Sequence, residues 1–419
     1  MDPFTPLDLP GGTTLPNRLA KAAMEESLAS QPGQLPGARM ERLYARWARG
    51  GVGLIITGNV MVDRRALTSP GTVVLDARSP LEPFRRWARA ASSGGAQVWM
   101  QINHPGRQVG SDMPGTAWAP SDVRVSLGKH TGRFARPTAM TEADIRSTIT
   151  RFATTARRAE EAGFHGVQIH AAHGYLLSQF LSPLVNRRTD QWGGPLEHRA
   201  RLLTEILAAV RTQVAPGFAV AVKLNAADFQ RGGFDTDDAA RVLDLLGGLG
   251  VDLVELSGGS VESPASMGHT SDHRVLEREA YFLALAERLL ETATVPLMLT
   301  GGIARRTTAE KALERGVSVV GMGTALALHP DLPERWRAGE DVPATIPRLD
   351  WKDRSLACAA TLAYVRHQLD RVARGSHPRP QASARRLFLL DSLQHRRRVR
   401  AYRTWLTSHP DDTREPSNH

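Results

Sequence analysis

GVQIHAAHGYLLSQFLSP, residues 166–183, decides how the rest of the chain is read. Val167, Ile169 and their apolar neighbours describe a short buried strand that ends at His170. His173, Gly174 and Tyr175 follow at once, so two imidazoles and a phenol leave one strand end together, on a turn opened by glycine. Neutral imidazoles donate N–H bonds to a carbonyl or nitro oxygen, and a phenol delivers a proton while keeping a high pKa. The trio suits a site that polarises a substrate oxygen and protonates a carbon beside it. Two other readings fit these residues alone. One is a pair of satisfied histidines with a core tyrosine. The other is a metal-ligating His pair, for which no nearby cysteine or carboxylate completes the set.

Working outward, β-type runs precede this strand at Leu19–Ala23, Gly53–Gly58 and Gln97–Asn103, and follow it at Ala219–Asn225, Leu253–Ser257, Pro296–Thr300 and Val317–Met322. Helical spacing falls between them, at about 39–50, 81–93, 195–214, 235–249, 277–292, 304–315 and 330–336. A further helix opens on a capping-box-like pair, Thr141 with Asp144, and runs to Gly163. Strands alternating with helices imply a parallel sheet, and eight units predict an α/β fold, a closed (β/α)8 TIM barrel. Residues 4–18 read as a β-hairpin ahead of it. The Gly-, Pro- and Ser-rich stretch from His104 to about Met140 is a long loop after strand three, of the kind that forms lids. A doubly wound open sheet competes, but no G-x-G-x-x-G follows the first strand. The expected division is a barrel over 1–345, a helical basic extension over 346–408 that packs on the barrel or a partner subunit, and a flexible tail over 409–419. Ser376–Gln381, with two prolines, breaks the extension.

The chain has 419 residues and a net charge of +10. From Arg348 onward, fifteen Lys and Arg stand against seven Asp and Glu, so most of the excess lies in the extension. That segment lacks aromatics interleaved on a β surface, and nucleic acid is not an expected partner. No apolar run is long enough to span a bilayer, and MDPFTPLDLPGG carries no secretory pattern. Cys358 is the only cysteine, which excludes an internal disulfide framework and an iron–sulfur cluster held by this chain alone. These features predict a cytoplasmic protein without a membrane partner, with homo-oligomer formation left open.

Active sites on such barrels lie at the C-terminal strand ends. Gly301-Gly302 and Gly323-Thr324 close the last two strands, where backbone N–H groups of a barrel often hold phosphate. Across the mouth, Gln101 offers an amide that matches a pyrimidine edge, and Lys223 a cation beside it. Phosphate at one end and an amide-reading, cation-assisted edge at the other describe a bed for flavin mononucleotide. Lys223 also fits a Schiff-base aldolase, or an ordinary ion pair with Glu255 or Asp228. A non-catalytic flavin-binding protein is the remaining class.

In this order these residues resemble the Old Yellow Enzyme family. The resemblance rests on LPNRLAKAAMEE (15–26), QINHPGRQ (101–108), the stretch from Gly166 to Leu207, LTGGI (299–303) and VGMGTALALHPDL (320–332), and covers about residues 4–337. It implies a single-domain FMN enzyme that takes hydride from NADH or NADPH and passes it, ping-pong, to an activated alkene such as an enone, enal or nitroalkene. It implies that Ala22, Ala23, Met24 and Glu25 lie along the flavin, that Gly58 sits near the ring, and that Gln101 reads the pyrimidine. It further implies that His170 and His173 grip the electron-withdrawing group, with His170 also against the cofactor, and that Tyr175 gives the proton. Three positions depart from the family pattern. Lys223 and Thr324 stand where arginine is usual, the latter with Arg305 or Arg306 as expected substitutes. Glu25 stands at the redox-tuning position, where a raised pKa or a turned-away side chain is expected.

Overall fold

The computed structural model describes residues 1–409 except 31, 268–278, 341, 343, 345, 347, 348 and 350. Eight parallel strands close on themselves: β1 (Leu19–Lys21), β2 (Leu54–Ile56), β3 (Gln97–Asn103), β4 (Gly166–Ala171), β5 (Ala219–Asn225), β6 (Leu253–Ser257), β7 (Leu297–Thr300) and β8 (Val319–Met322). Each pairs with its sequence neighbour, and β8 pairs with β1, which leaves no open edge. The expected (β/α)8 barrel is the observed fold.

Alternation along the strands sorts side chains into two sets. Outward residues such as Val167, Ile169, Val220, Val222, Val254, Leu256 and Leu299 are buried in one large core beneath the surrounding helices. These are α1 (Ala38–Ala48), α2 (Glu82–Ser92), α3 (Glu142–Glu161), α4 (Leu196–Arg211), α5 (Thr236–Gly247), α6 (Leu283–Leu290) and α7 (Arg306–Glu314). Each such aliphatic side chain removed from water contributes roughly 1.5–3 kcal/mol. The inward set forms a second core of Ala20, Leu54, Trp99, Ala221, Leu253, Met298 and Val319. Leu9 and Leu15 of the N-terminal hairpin join this inner core and seal the lower end of the barrel. Leu7–Asp8 pairs antiparallel with Thr14–Leu15, and Gly11 N–H donates to Asp252 Oδ1 at 2.7 Å, tying the hairpin to β6.

The capping box at α3 is complete: Asp144 N–H donates to Thr141 Oγ1 at 3.2 Å, and Thr141 N–H to Asp144 Oδ2 at 2.9 Å. Of the helix expected from about 277, residues 277 and 278 lie outside the described set, and α6 begins only at Leu283. Short helices at Leu176–Leu181 and Thr324–Leu328 follow β4 and β8 directly, where the sequence pattern assigned no helix. The loop after β3 carries a small parallel pair, Ala117–Ala119 with Pro137–Ala139. Buried Arg107 pins that loop, donating to the carbonyls of Val123 (3.1 Å) and Arg124 (2.8 Å) and to Glu262 Oε2 (2.6 Å).

Two helices form the extension, α8 (Arg354–Ala373) and α9 (Ala384–Ser408). Their N-termini are capped by Asp353, which accepts from Leu356 N–H, and by Ser383, which accepts from Arg386 N–H. α8 lies against α1 and the Thr324–Leu328 helix. α9 packs Val399, Tyr402 and Trp405 onto Met61, Leu67, Val74, Val109 and Met113, residues of the loops after β2 and β3. Tyr402 Oη donates to the Arg64 carbonyl at 2.7 Å. The tail expected at 409–419 lies outside the described residues apart from His409.

Candidate active site

The inward positions change character toward the C-terminal ends of the strands. Gln101, Gln168, Lys223, Glu255 and Thr300 all face the barrel interior and form one hydrogen-bonded network around Glu255. Gln101 Nε2 donates to Gln168 Oε1 (2.7 Å), and Gln168 Nε2 to Glu255 Oε2 (2.7 Å). Glu255 Oε1 accepts from Lys223 Nζ (2.8 Å) and Thr300 Oγ1 (2.6 Å). A wholly buried carboxylate is thus matched by one cation and two neutral donors, the condition under which a buried ion pair persists. Of the readings left open for Lys223, the pair with Glu255 is observed, and Asp228 is engaged elsewhere, with Asn225 and the Phe234 N–H.

Above this layer sits the trio that opened the reading. The rings of His170 and His173 are 5.0 Å apart, as are those of His170 and Tyr175, both nearly perpendicular. His170 Nδ1 accepts the Ala172 N–H at 3.2 Å, which places the ring proton on Nε2. His173 sits at φ 61 and Gly174 at φ 72, so the chain turns left-handed to bring both rings inward. Asn225 Oδ1 accepts the His173 N–H (3.1 Å), and Ser257 Oγ meets His173 Nε2 at 2.7 Å. Burial pushes the pKa of both imidazoles well below the usual histidine range, assisted by the Lys223 charge, so both are neutral near pH 7. Burial and the nearby Glu25 carboxylate push the Tyr175 phenol up, which keeps it protonated.

Gly58 is buried at the end of β2 with its N–H donated to Tyr44 Oη at 2.9 Å; a Cβ there would lie 2.1 Å from Glu26 Oε2 and 2.2 Å from the Met24 carbonyl. Ala22 N–H donates to the Met322 carbonyl at 2.9 Å, joining the β1 and β8 ends. Met24 borders Gly323, whose added Cβ would meet only the Met24 side chain, at 3.6 Å. Ala23 is half-buried on the same segment.

Two departures from the family pattern read differently in the structure. Of the two alternatives expected at Glu25, the raised pKa is not found. Burial pushes it up, but the Arg366 guanidinium and the Ser69, Thr68 and Thr72 hydroxyls more than offset this and hold the carboxyl below its ordinary value. The carboxylate is bound to the 68–72 loop, with Oε1 accepting from Ser69 Oγ (2.6 Å), Thr68 Oγ1 (3.0 Å) and Thr72 Oγ1 (3.3 Å). Arg306 is not available to replace an arginine at Thr324: it bonds Glu310 (2.7 Å) and the Trp336 carbonyl (2.9 Å). Arg305 pairs with Glu279 at 3.2 Å. Thr324 itself is exposed.

The donor set fits a flavin mononucleotide. Lys223 has three N–H donors and directs one to Glu255, so the other two remain for the pyrimidine edge beside Gln101. At the other end Gly301 (φ 138) and Gly302 (φ 70) adopt backbone that side chains rarely take, and a Cβ on Gly302 would lie 2.5 Å from the Tyr281 ring. Bare backbone is what a phosphate needs to approach closely. Among the described residues no group of three or more His, Cys, Asp or Glu is arranged to hold a metal, and no helix is long and apolar enough to cross a membrane.

The chain belongs to the NADH:flavin oxidoreductase / NADH oxidase family, which matches residues 2–341. It is 38% identical over 352 residues to the NADH-dependent flavin oxidoreductase iliE of Hypocrea jecorina, covering 78% of this chain and 87% of that protein. Its fold superposes on an Old Yellow Enzyme homologue from Zymomonas mobilis with a TM-score of 0.70 at 24% identity, covering 83% of this chain and 95% of that one. Morphinone reductase aligns with a TM-score of 0.67 at 25% identity, over 81% and 90% of the two chains. The protein is therefore an FMN-dependent oxidoreductase that uses a reduced nicotinamide.

Sequence reasoning missed four participants: Gln168, which links Gln101 to Glu255; Ser257, which fixes His173; Asn59, whose amide neighbours the Tyr175 phenol; and Arg366. Gln168 and Ser257 carried a signal. Each lies two residues from a named position on its own strand and so faces the same way.

Proposed function

We propose that the protein reduces the C=C bond of small alkenes activated by a carbonyl or nitro group. The observation that carries this reading is the trio of neutral His170, neutral His173 and protonated Tyr175 at one strand end. A flavin held in this bed would supply the hydride for the β-carbon of the alkene, with NADH or NADPH as its source. The residues of the chain do the rest. His170 Nε2–H points a donor at the substrate oxygen and draws electron density away from the double bond. His173, held from both sides by Asn225 and Ser257, packs edge-on against it and fixes its orientation. Tyr175 Oη delivers its proton to the carbon alpha to the activating group. A phenol with a raised pKa releases that proton only as charge develops on the carbon, which suits a general acid in the transition state. Ala22 to Met24, Gly58, Gln101, Lys223, Gly301, Gly302, Gly323 and Thr324 line the cofactor's bed. A Schiff-base reading requires the Lys223 amine to attack a carbonyl, but that nitrogen donates to Glu255.

The test is the visible spectrum of the purified protein without oxygen. An oxidised-flavin spectrum that bleaches on adding NADH or NADPH and returns on adding cyclohexenone is the expected result. A protein that is colourless and takes up no added FMN overturns the reading.

A further inference from the structure

Glu25 ends the segment that follows β1, and Arg366 lies in the middle of α8, yet their side chains meet. Arg366 NH2 is 3.4 Å from Glu25 Oε2, and NH1 is 3.4 Å from Asp391 Oδ2 on α9, with the guanidinium about four-fifths buried (20% exposed). One arginine therefore bridges a carboxylate beside the active site to a carboxylate on the last helix. The third group facing the guanidinium is the Tyr175 phenol, and Arg398 of α9 stands beside Asp391. Glu25 itself faces Arg366, Tyr175 and the three hydroxyls of the 68–72 loop.

We propose that Arg366 is a positioning residue for the active site, through which the C-terminal extension clamps Glu25 to the 68–72 loop and so fixes the surroundings of Tyr175. This rests on the assignment of Tyr175 as proton donor. A carboxylate beside a proton-donating phenol serves only in one state. Ionised and pinned, it keeps the phenol protonated until the alkene reacts. Protonated and released, it becomes a second acid that competes for the same position. Arg366 selects the first state by charge and by geometry, since its fork reaches two carboxylates that a single ammonium cannot span. The extension is then a working part of the site.

The test compares the full-length parent protein with R366Q, R366K, E25Q and the double variant E25Q/R366Q, reading thermal unfolding midpoints from pH 4.5 to 8. Without Arg366 only the three hydroxyls of the 68–72 loop oppose burial at Glu25, and its pKa rises above the ordinary carboxylate value. The folded state of R366Q then holds a proton that the unfolded state has lost, so R366Q becomes less stable as pH rises above the ordinary carboxylate value. The double variant lacks that limb. R366K, which keeps a cation, lacks it too. With enone as substrate, kcat of R366Q acquires the same limb and the parent does not. Parallel pH profiles for R366Q and E25Q/R366Q overturn the proposal, because an arginine that only packs shifts all pH values equally. A full limb in R366K overturns the role of its charge. The stability arm needs no flavin, so failure of the flavin reading and failure of this one are read separately.

Discussion

Lys223 and Glu255 are register partners on adjacent parallel strands, and inside the barrel their side chains meet at 2.8 Å. Backbone pairing therefore fixes the one cation–anion contact around which the polar layer is arranged. Removing the anion alone leaves a buried, unmatched ammonium. Glu255→Ala is expected to lower unfolding free energy by about 3–5 kcal/mol, while a double replacement by methionines, Lys223→Met with Glu255→Met, recovers most of the loss. Urea unfolding midpoints of the two variants check this; equal losses would show that the layer is held by packing instead.

Tyr175 faces His170, Glu25, Asn59 and Arg366. Tyr175→Phe is therefore expected to leave flavin uptake and nicotinamide-driven bleaching unchanged and to slow alkene-driven reoxidation by about 10²–10⁴-fold. Stopped-flow measurement of the two half-reactions separates them. Equal rates of reoxidation in both proteins would remove the phenol from its role.

Buried imidazoles give the protein a signature in acid. Burial pushes His104 down to about 4, and His170 and His173 well below the usual range. The folded state stays neutral at these sites while the unfolded chain binds protons below about pH 6.5, so stability falls as pH drops from there. For His104 alone the loss is roughly 3 kcal/mol by pH 4. Thermal midpoints should decline between pH 7 and 5, with a shallower slope in His104→Asn. The rate of alkene reduction should show no imidazole limb between pH 6 and 8.

Gly302→Ala tests the glycine end. The φ of 70 and the Tyr281 ring 2.5 Å from the added Cβ make the native loop inaccessible to alanine without displacement. A cost of about 1–3 kcal/mol is expected, seen as weaker FMN retention in a fluorescence titration. Unchanged affinity would place the phosphate elsewhere.

How much was legible follows from what kind of pattern each residue belongs to. The barrel and the trio on β4 were legible because both are local: apolar runs with period two, and three chemical groups within six residues. Gln101 and Lys223 were found because each lies near the C-terminal end of its strand, two residues before the last. Gln168, the register partner of Gln101, and Ser257, the last residue of β6, share their inward face, but an amide and a hydroxyl carry no chemistry that marks them without their partners. Arg366 was beyond reach. It faces Glu25 only because two helices fold back over the loops after β2 and β3, and nothing in local spacing encodes that return. Glu25 meets the same limit: desolvation is readable from an apolar neighbourhood, but the compensating cation comes from the far end of the chain.

The sealed lower end and the polar upper rungs divide the barrel along its axis. Leu9, Leu15, Leu54, Trp99, Leu253 and Met298 carry stability and touch no proposed reacting group. Gln101, Gln168, Lys223, Glu255 and Thr300 form the hydrogen-bonded layer above them. The tube is thus modular from floor to rim. A designer can rebuild its catalytic rim one rung at a time over an unchanged foundation, provided each strand keeps its length, since one inserted residue would turn every rim side chain outward.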